Sequence, residues 1–315
     1  MSDFVIVFST KSIFNRDDMP KHCDTFQNIV YSVELDHDSF ILELHGEKEV
    51  VIELVRNIWE LASLYDGYFY KPENYTIDGT IQNFDDLYFL SFYRTGEIWT
   101  KFARNLVGTN RDYSAKKIKT YKEFHSRDRD VGELNETLIN SLVYLQSKNY
   151  DGINVNHRLS LFLNLCDGLA INFYGSNNVN SSMSKILKKT LASEKVKYGA
   201  SLFGIPKERL YSALSNERNE IGHYIIKSGS LSEYEMKAPE PIKHYLYFYF
   251  TYIVELAARI AILKEIGCEC DKDIVDDVLD NVNDWVIYNC NIDVECAKDI
   301  NKLKQRLKKM GIDMR

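Results

Sequence analysis

One short segment combines side chains that can move protons and stabilise negative charge. It runs Ser215-Asn-Glu-Arg-Asn-Glu-Ile-Gly-His-Tyr224, so Arg218 and His223 are five positions apart and Asn219 directly follows the arginine. Histidine titrates near neutral pH and can act as a general acid or base. A guanidinium stabilises charge on phosphoryl oxygens, and an amide can bind a phosphate or orient an imidazole. These residue types suit metal-free cleavage of RNA.

Helical periodicity predicts a helix that begins at Pro206 and carries this segment. Proline is favoured at the first helical position, and Leu210 and Leu214 then recur at a spacing of about one turn. Gly222 weakens a helix, so His223 is expected at the helix end, where the C-terminus favours a protonated imidazole.

A second pair of arginine and histidine shows that spacing alone does not identify a site. Arg16 and His22 are six positions apart, but Pro20 lies between them and prevents a regular helix. The helical context therefore carries the inference for Arg218 and His223. The alternative is that these two residues belong to an ordinary charged helix end.

Hydrophobic patterning predicts an α+β N-terminal domain, residues 1–110, followed by an all-helical domain, residues 111–315, in a predominantly helical chain. Alternating or clustered apolar residues predict strands in the first part, whereas helical spacing prevails in the second. The predicted strands are residues 4–8, 29–35, 40–44, 68–77 and 87–93. The predicted helices are residues 50–64, 131–147, 158–173, 183–196, 207–222, 241–266, 273–288 and 294–310.

Composition limits the possible functions. The chain has 315 residues, 45% of them hydrophobic, which allows a core of ordinary size without disulfide or metal. A formal net charge of −7 argues against a protein that coats nucleic acid, although local basic clusters can still steer RNA. Lysines cluster at residues 116–122, 185–189 and 302–309, while residues 271–284 are strongly acidic. No phosphate-binding loop and no Ser, His and Asp grouping for a hydrolase triad is found.

Localisation follows from the ends and the apolar runs of the sequence. No secretory leader is recognised, so the thiols are expected to be reduced and the protein cytoplasmic. The apolar run 245–254 is followed by Glu255 and Arg259, and a membrane span needs about 20 uncharged residues. A buried helix is therefore predicted, with no membrane contact.

Four cysteines leave one metal-binding alternative open. Cys268, Cys270, Cys290 and Cys296 could supply four thiolates to zinc, but their spacing lacks the CxxC pairs typical of such sites. We expect reduced structural thiols instead. No cofactor and no catalytic metal are predicted.

The segment Arg218-Asn-Glu-Ile-Gly-His223 resembles the R-x4-6-H motif of the HEPN superfamily, including the polar residue after the arginine. The setting is similar too, with a motif helix, a loop and then a long apolar helix. The resemblance covers about residues 153–268 and implies a helical bundle. It also implies a metal-independent endoribonuclease, in which His223 is the acid or base, Arg218 stabilises the transition-state charge and Asn219 positions one of them.

The family resemblance also implies partners. HEPN domains commonly form homodimers that bring two motifs into one cleft, and many act in toxin–antitoxin, CRISPR and abortive-infection systems. In architecture, the β-containing region ahead of the helices resembles the ApeA-like defence proteins. RNA is thus the expected substrate, cleaved to 2′,3′-cyclic phosphate ends, and a phage-derived trigger or an antitoxin is a possible partner. The alternative is a catalytically silent HEPN module that binds RNA or protein.

Two details bear on assembly and control. Arg218 and His223 are about 140° apart on an ideal helix, so a second copy is expected to complete the site. The helix predicted at residues 245–263 is apolar around much of its circumference, so we also expect it to need a partner surface. HEPN toxins modified by a partner nucleotidyltransferase often carry R-x4-H-x-Y, but here Tyr224 follows His223 directly and Ile225 takes the expected place. This departure argues against that form of control.

Overall fold

The computed structural model describes residues 1–9, 18–36, 39–67, 70–87, 104–127, 155–175, 179–222, 230–238 and 245–289. The chain divides into two compact units, Met1–Gly152 with Ile262–Asp271, and Ile153–Ala261 with Lys272–Arg315. An N-terminal antiparallel sheet is followed by helices, so the predicted order of an α+β region and then a helical region is confirmed.

The first unit contains a six-stranded antiparallel sheet. Its strands are β1 (Ser2–Ser9), β2 (Met19–Phe26), β3 (Ile29–Leu35), β4 (Ser39–Gly46), β5 (Lys71–Ile77) and β6 (Thr80–Ile81). Their order across the sheet is β2-β3-β4-β1-β5-β6. Successive side chains point to opposite faces, so Phe4, Ile6 and Phe8 are buried together. The predicted hairpin is confirmed by the pairing of β3 with β4, in which Leu35 lies opposite Phe40.

Helix α1 (Lys48–Asp66) contacts strand β4 through an apolar face. Val51 and Leu54, whose helical spacing predicts this helix, are buried there. The helix ends at Gly67, whose φ of 62° is left-handed and whose N–H donates to the Ser63 carbonyl at 2.8 Å. Glycine adopts this conformation without steric cost, which explains the position of the helix end.

Helix α2 (Ala115–Arg127) also belongs to the first unit. The N–H of Ala115 donates to Asp24 Oδ2 of β2 at 2.8 Å, and Ile118 and Tyr121 are buried. The sequence predicts a domain boundary near residue 110, where its character changes from mixed strands and helices to helices. That prediction concerns the type of the elements, whereas the contacts of α2 concern the unit against which it packs.

The remaining described helices lie wholly or mainly in the second unit. They are α3 (Val155–Tyr174), α4 (Val179–Thr190), α5 (Ser193–Leu202), α6 (Leu210–Gly222), α7 (Ser230–Lys237), α8 (Leu246–Glu265) and α9 (Lys272–Asn289). Helices α3, α4 and α6 pack against one another, α7 packs against α6, and α9 packs against α5. This arrangement surrounds the predicted site helix with three neighbours.

Several element boundaries differ from those predicted. One helix was expected over residues 183–196, but α4 and α5 are separated at Leu191. Helix α6 begins at Leu210 because the N–H of Arg209 donates to the Pro206 carbonyl at 2.8 Å, which closes a turn before the helix. Strands β2 and β6 and helices α2 and α7 were not predicted. The elements predicted at residues 87–93, 131–147 and 294–310 lie almost entirely outside the described residues.

Helix α8 is long and apolar enough to cross a membrane, and it is the one such helix among the described residues. Of its most apolar 18-residue window, 83% is buried inside the chain, as in the core helix of a soluble protein. Arg259 is buried with it and donates to Glu255 at 3.4 Å one turn earlier. The prediction of a buried helix is confirmed, and its apolar surface is already covered within one chain.

We expect Gly199→Ala to destabilise the second unit. A Cβ at this position of α5 would lie 1.9 Å from Tyr249 Oη and 2.2 Å from Asn283 Oδ1, atoms of α8 and α9. Overpacking of this kind costs about 1–3 kcal/mol, which urea denaturation would measure. Ser201→Ala, at an exposed position of the same helix, is the control and should leave stability nearly unchanged. An unchanged midpoint for Gly199→Ala would contradict the close packing at this crossing.

Candidate active site

Helix α6 carries two of the three predicted site residues. Leu210 and Leu214 are fully buried and hold one face of the helix in the core. Arg218 and Asn219 lie at half-buried positions on the same helix. His223 follows the last residue of α6 but is outside the described residues. Its pairing with Arg218 therefore stays a prediction.

The Arg218 guanidinium is held by two side chains. Its Nη2 donates to Asp167 Oδ2 at 2.9 Å, and its Nη1 donates to Asn219 Oδ1 at 3.0 Å. The Asp167 side chain is 6% exposed, whereas that of Arg218 is 30% exposed. The guanidinium is thus fixed in orientation, and part of the Arg218 side chain remains exposed. A fixed guanidinium is the arrangement that stabilises charge on a phosphoryl group.

Asp167 is a site residue that sequence reasoning missed. It lies on α3, 51 residues before Arg218, and spacing along the chain cannot show which helices meet. A signal was present, because Asp167 is the only acidic residue of α3. A carboxylate in an apolar helix is almost never buried without a partner, so a cation on a neighbouring helix could have been sought.

The ion pair has hydrogen-bonding capacity that the described residues do not use. Among them, neither Arg218 Nε nor Asp167 Oδ1 has a hydrogen-bond partner, although both atoms are buried. A buried polar atom without a partner costs about 1–3 kcal/mol, and such atoms are uncommon in folded proteins. The ion pair therefore keeps one donor and one acceptor unsatisfied among the described residues.

Glu217, which directly precedes Arg218 on α6, is buried. Its Oε2 accepts the backbone N–H of Leu231 at the start of α7 at 2.9 Å, and the Tyr247 hydroxyl of α8 also bonds to it. Burial raises the pKa of this carboxyl, an effect opposed by the Leu231 N–H and reinforced by the nearby Glu220. Glu217 thus ties α6 to both helices that follow it.

The described residues contain no group of three or more His, Cys, Asp and Glu that could hold a metal ion. Cys268 and Cys270 are reduced, and the Cys268 sulfur lies 3.5 Å from the Tyr65 hydroxyl. Cys290 and Cys296 are outside the described residues, so the zinc alternative stays untested.

Comparison with known proteins does not identify the site. No family model matches the chain, and it matches neither a curated protein nor a solved structure. The resemblance to the HEPN superfamily rests on the motif segment and its helical setting.

We expect Glu217→Gln to change the pH dependence of stability. A carboxyl whose pKa is raised on folding contributes stability that is present below its unfolded pKa and is lost as the pH rises through its folded pKa. Glutamine cannot ionise and escapes this loss. The melting temperature of the variant minus that of the wild type should therefore become more positive from about pH 4 to about pH 7.

Glu233→Gln, which removes an exposed carboxylate of α7, is the matched control and should give a smaller change over the same range. A difference for Glu217→Gln that stays level or falls with rising pH would contradict the buried environment described for this carboxyl.

Proposed function

We propose that the chain is a HEPN-type, metal-independent endoribonuclease that acts on RNA in the cytoplasm as an anti-phage, abortive-infection or toxin effector. Arg218, Asn219 and His223 are its proposed site. The observation that carries the proposal is the state of Arg218, whose guanidinium is oriented by Asp167 and Asn219 and whose side chain is partly exposed. It lies on the helix that immediately precedes His223 in the chain.

The proposed reaction is a transesterification. The ribose 2′-oxygen attacks the adjacent phosphorus, the bond from phosphorus to the 5′-oxygen breaks, and a 2′,3′-cyclic phosphate and a 5′-hydroxyl result. The 2′-hydroxyl loses a proton and the leaving 5′-oxygen gains one. His223 performs one of these transfers, and the other is exchanged with solvent water. Arg218 donates hydrogen bonds to the phosphoryl oxygens as negative charge builds on them. This route needs no metal ion, because proton transfer and charge stabilisation come from side chains.

Asp167 is a positioning residue in this mechanism. It touches neither substrate nor leaving group, but it holds Arg218 Nη2, while Asn219 holds Nη1. A fixed guanidinium stabilises developing charge without reorganising at the moment of reaction. Asp167 also lowers the net charge at the site, so RNA must compete with a carboxylate for Arg218.

This competition favours one rival function. An arginine that is already paired with a largely buried aspartate has the arrangement of a structural ion pair. A catalytically silent HEPN module that binds RNA or protein would retain it without cleavage. Activity measurements on variants of Arg218 separate the two functions.

A homodimer is part of the proposal. The angle of about 140° between Arg218 and His223 on an ideal helix makes it difficult for one copy to direct both at one phosphate. A two-fold axis would bring the arginine of one copy towards the histidine of its partner. Helix α8 no longer supports this inference, because its apolar surface is covered within the chain.

Arg218→Ala and His223→Ala should each lower the rate of RNA cleavage by about 10²–10⁴, because each removes charge stabilisation or proton transfer. Asp167→Asn should give a smaller loss, since the guanidinium remains but is less firmly held. Cleavage is measured on total RNA in EDTA, and the product ends are analysed for the 2′,3′-cyclic phosphate.

Arg56→Ala is the control, because the Arg56 side chain is 29% exposed and paired with Glu60 at 2.8 Å, much as Arg218 is paired with Asp167. It should cleave at the wild-type rate. Undiminished cleavage by Arg218→Ala or His223→Ala, a strict need for Mg²⁺, or 3′-hydroxyl products would refute the mechanism.

Mixing the two inactive variants tests the shared site. If one intact pair across the two-fold axis is enough, dimers that combine an Arg218→Ala chain with a His223→Ala chain should regain part of the activity. The mixture is compared with each variant alone at equal total protein, and sedimentation gives the oligomeric state. A wild-type protein that is monomeric at micromolar concentration and still cleaves RNA would contradict a composite site.

A further inference from the structure

Two lysines of α4 lie over two tyrosine rings of the neighbouring helices. Lys188 Nζ is 5.3 Å from the ring centre of Tyr211 on α6, and Lys189 Nζ is 4.9 Å from that of Tyr174 on α3. Both lysines are exposed and both rings are half-buried. We call these four residues the basic–aromatic surface. Lys185, one turn earlier on α4, instead donates to the Tyr174 carbonyl at the end of α3.

The basic–aromatic surface lies on the same helix faces as the candidate active site. Tyr211 is seven residues before Arg218 on α6, and Tyr174 is seven residues after Asp167 on α3. Seven residues are about two helical turns. Tyr211 therefore shares a face of α6 with Arg218, and Tyr174 shares a face of α3 with Asp167, in each case about 10 Å apart along the helix axis. The ion pair joins Arg218 to Asp167, and the adjacent Lys188 and Lys189 bring Tyr211 and Tyr174 close together. Because the tyrosine precedes the charged residue on α6 but follows it on α3, the two helices run antiparallel.

Positive charge is concentrated around this surface. Residues 179–215 contain seven Lys or Arg and two Glu, an excess of five positive charges in a chain whose net charge is −7. Of these seven cations, Lys197 pairs with Glu194 at 2.8 Å and Lys195 pairs with Asp280 of α9 at 2.6 Å. Lys188 and Lys189 instead lie over tyrosine rings. An anionic polymer is therefore attracted to this part of the molecule although the whole chain would repel it.

We infer that the basic–aromatic surface binds the nucleotides of single-stranded RNA that flank the scissile phosphate. This inference rests on the proposed cleavage at Arg218 and His223. A separation of about 10 Å corresponds to about three stacked nucleotides at 3.4 Å each. Lys188 and Lys189 contact phosphates, and a base stacks on Tyr211 or Tyr174, as in other proteins that bind single strands without sequence preference.

The contacts present without RNA are easily exchanged for contacts with RNA. A solvent-exposed ammonium over an aromatic ring is held weakly, and a lysine side chain is long and flexible. When a phosphate approaches, the ammonium can move to it and uncover the ring face for a base. Stacking on tyrosine accepts any base, so affinity is gained here without sequence recognition.

The lysines of α2 are a less suitable RNA surface. They line a cavity of about 720 Å³ together with Phe26 and Glu123. Lys122 pairs with Glu53 at 2.7 Å and Lys119 lies 3.7 Å from Glu123, so acidic side chains already neutralise part of that charge. Helix α4, in contrast, contains no acidic residue.

The test measures binding separately from cleavage. Full-length His223→Ala protein, which should not cut RNA, is titrated with a fluorescent single-stranded oligoribonucleotide in EDTA at several salt concentrations. Lys188→Glu or Lys189→Glu in this background should weaken binding and lower the slope of log affinity against log salt by about one each. Lys272→Glu, an exposed lysine of α9, is the charge-matched control and should bind as the parent does.

Variants of Tyr211 test the same surface without changing its charge. Tyr211→Ala should weaken binding about 5- to 150-fold with an unchanged salt slope, while Tyr211→Phe keeps the ring and should bind normally. Thermal melting confirms that each variant folds, and the phenylalanine variant keeps the packing if the alanine variant does not. In otherwise wild-type protein, Lys188→Glu should raise the KM for RNA more than it lowers kcat.

The outcomes separate the two proposals. Equal binding by Lys188→Glu and Lys272→Glu, or displacement of RNA by polyglutamate at equal charge, would overturn the inference, and the latter would assign the surface to an acidic polypeptide. If the wild type cuts RNA but the surface variants keep its KM, this inference alone fails. If the wild type does not cut RNA but these variants lose binding, the nuclease proposal fails and the binding surface stands.

Discussion

The ion pair between Asp167 of α3 and Arg218 of α6 organises the helical unit around the candidate site. Burial of a carboxylate is costly unless a cation and hydrogen bonds compensate for it. Because Asp167 is the only acid of α3, α6 must turn Arg218 towards it. Because Tyr211 shares a face of α6 with Arg218, the same orientation turns Tyr211 towards α3. The basic–aromatic surface and the candidate site therefore lie along the same side of the two helices.

The residue before Arg218 reinforces this orientation through contacts with other helices. Glu217 is buried and bonded to α7 and α8, whereas Arg218 is bonded to α3 and is partly exposed. Successive residues of a helix are about 100° apart, so these two side chains fix the rotation of α6 about its own axis. Both contacts join residues distant in sequence, and together they place the motif more firmly than helical propensity alone could.

The sequence allowed the prediction of elements with a clear apolar pattern, such as the hairpin of β3 and β4 and helices α1 and α8. It did not predict β2, because an edge strand pairs on one side and tolerates polar residues and even Pro20. At the candidate site, Arg218 and Asn219 could be named from their types and spacing. Asp167 could not, because its role depends on a contact between helices that only the folded chain defines.

Under the proposed function, the pairing of Arg218 with Asp167 is compatible with catalysis if RNA binds the protein at more than one point. A free phosphodiester carries one charge, as Asp167 does, and would compete poorly for the guanidinium from solution. A strand already held on the basic–aromatic surface presents its phosphate at a high effective concentration about 10 Å away, and the competition becomes intramolecular. Binding energy from the flanking nucleotides then drives the exchange at the reacting phosphate. Under the proposed function, short RNA that reaches only Arg218 is a poor substrate, and the carboxylate that weakens the site for single phosphates makes it selective for longer strands.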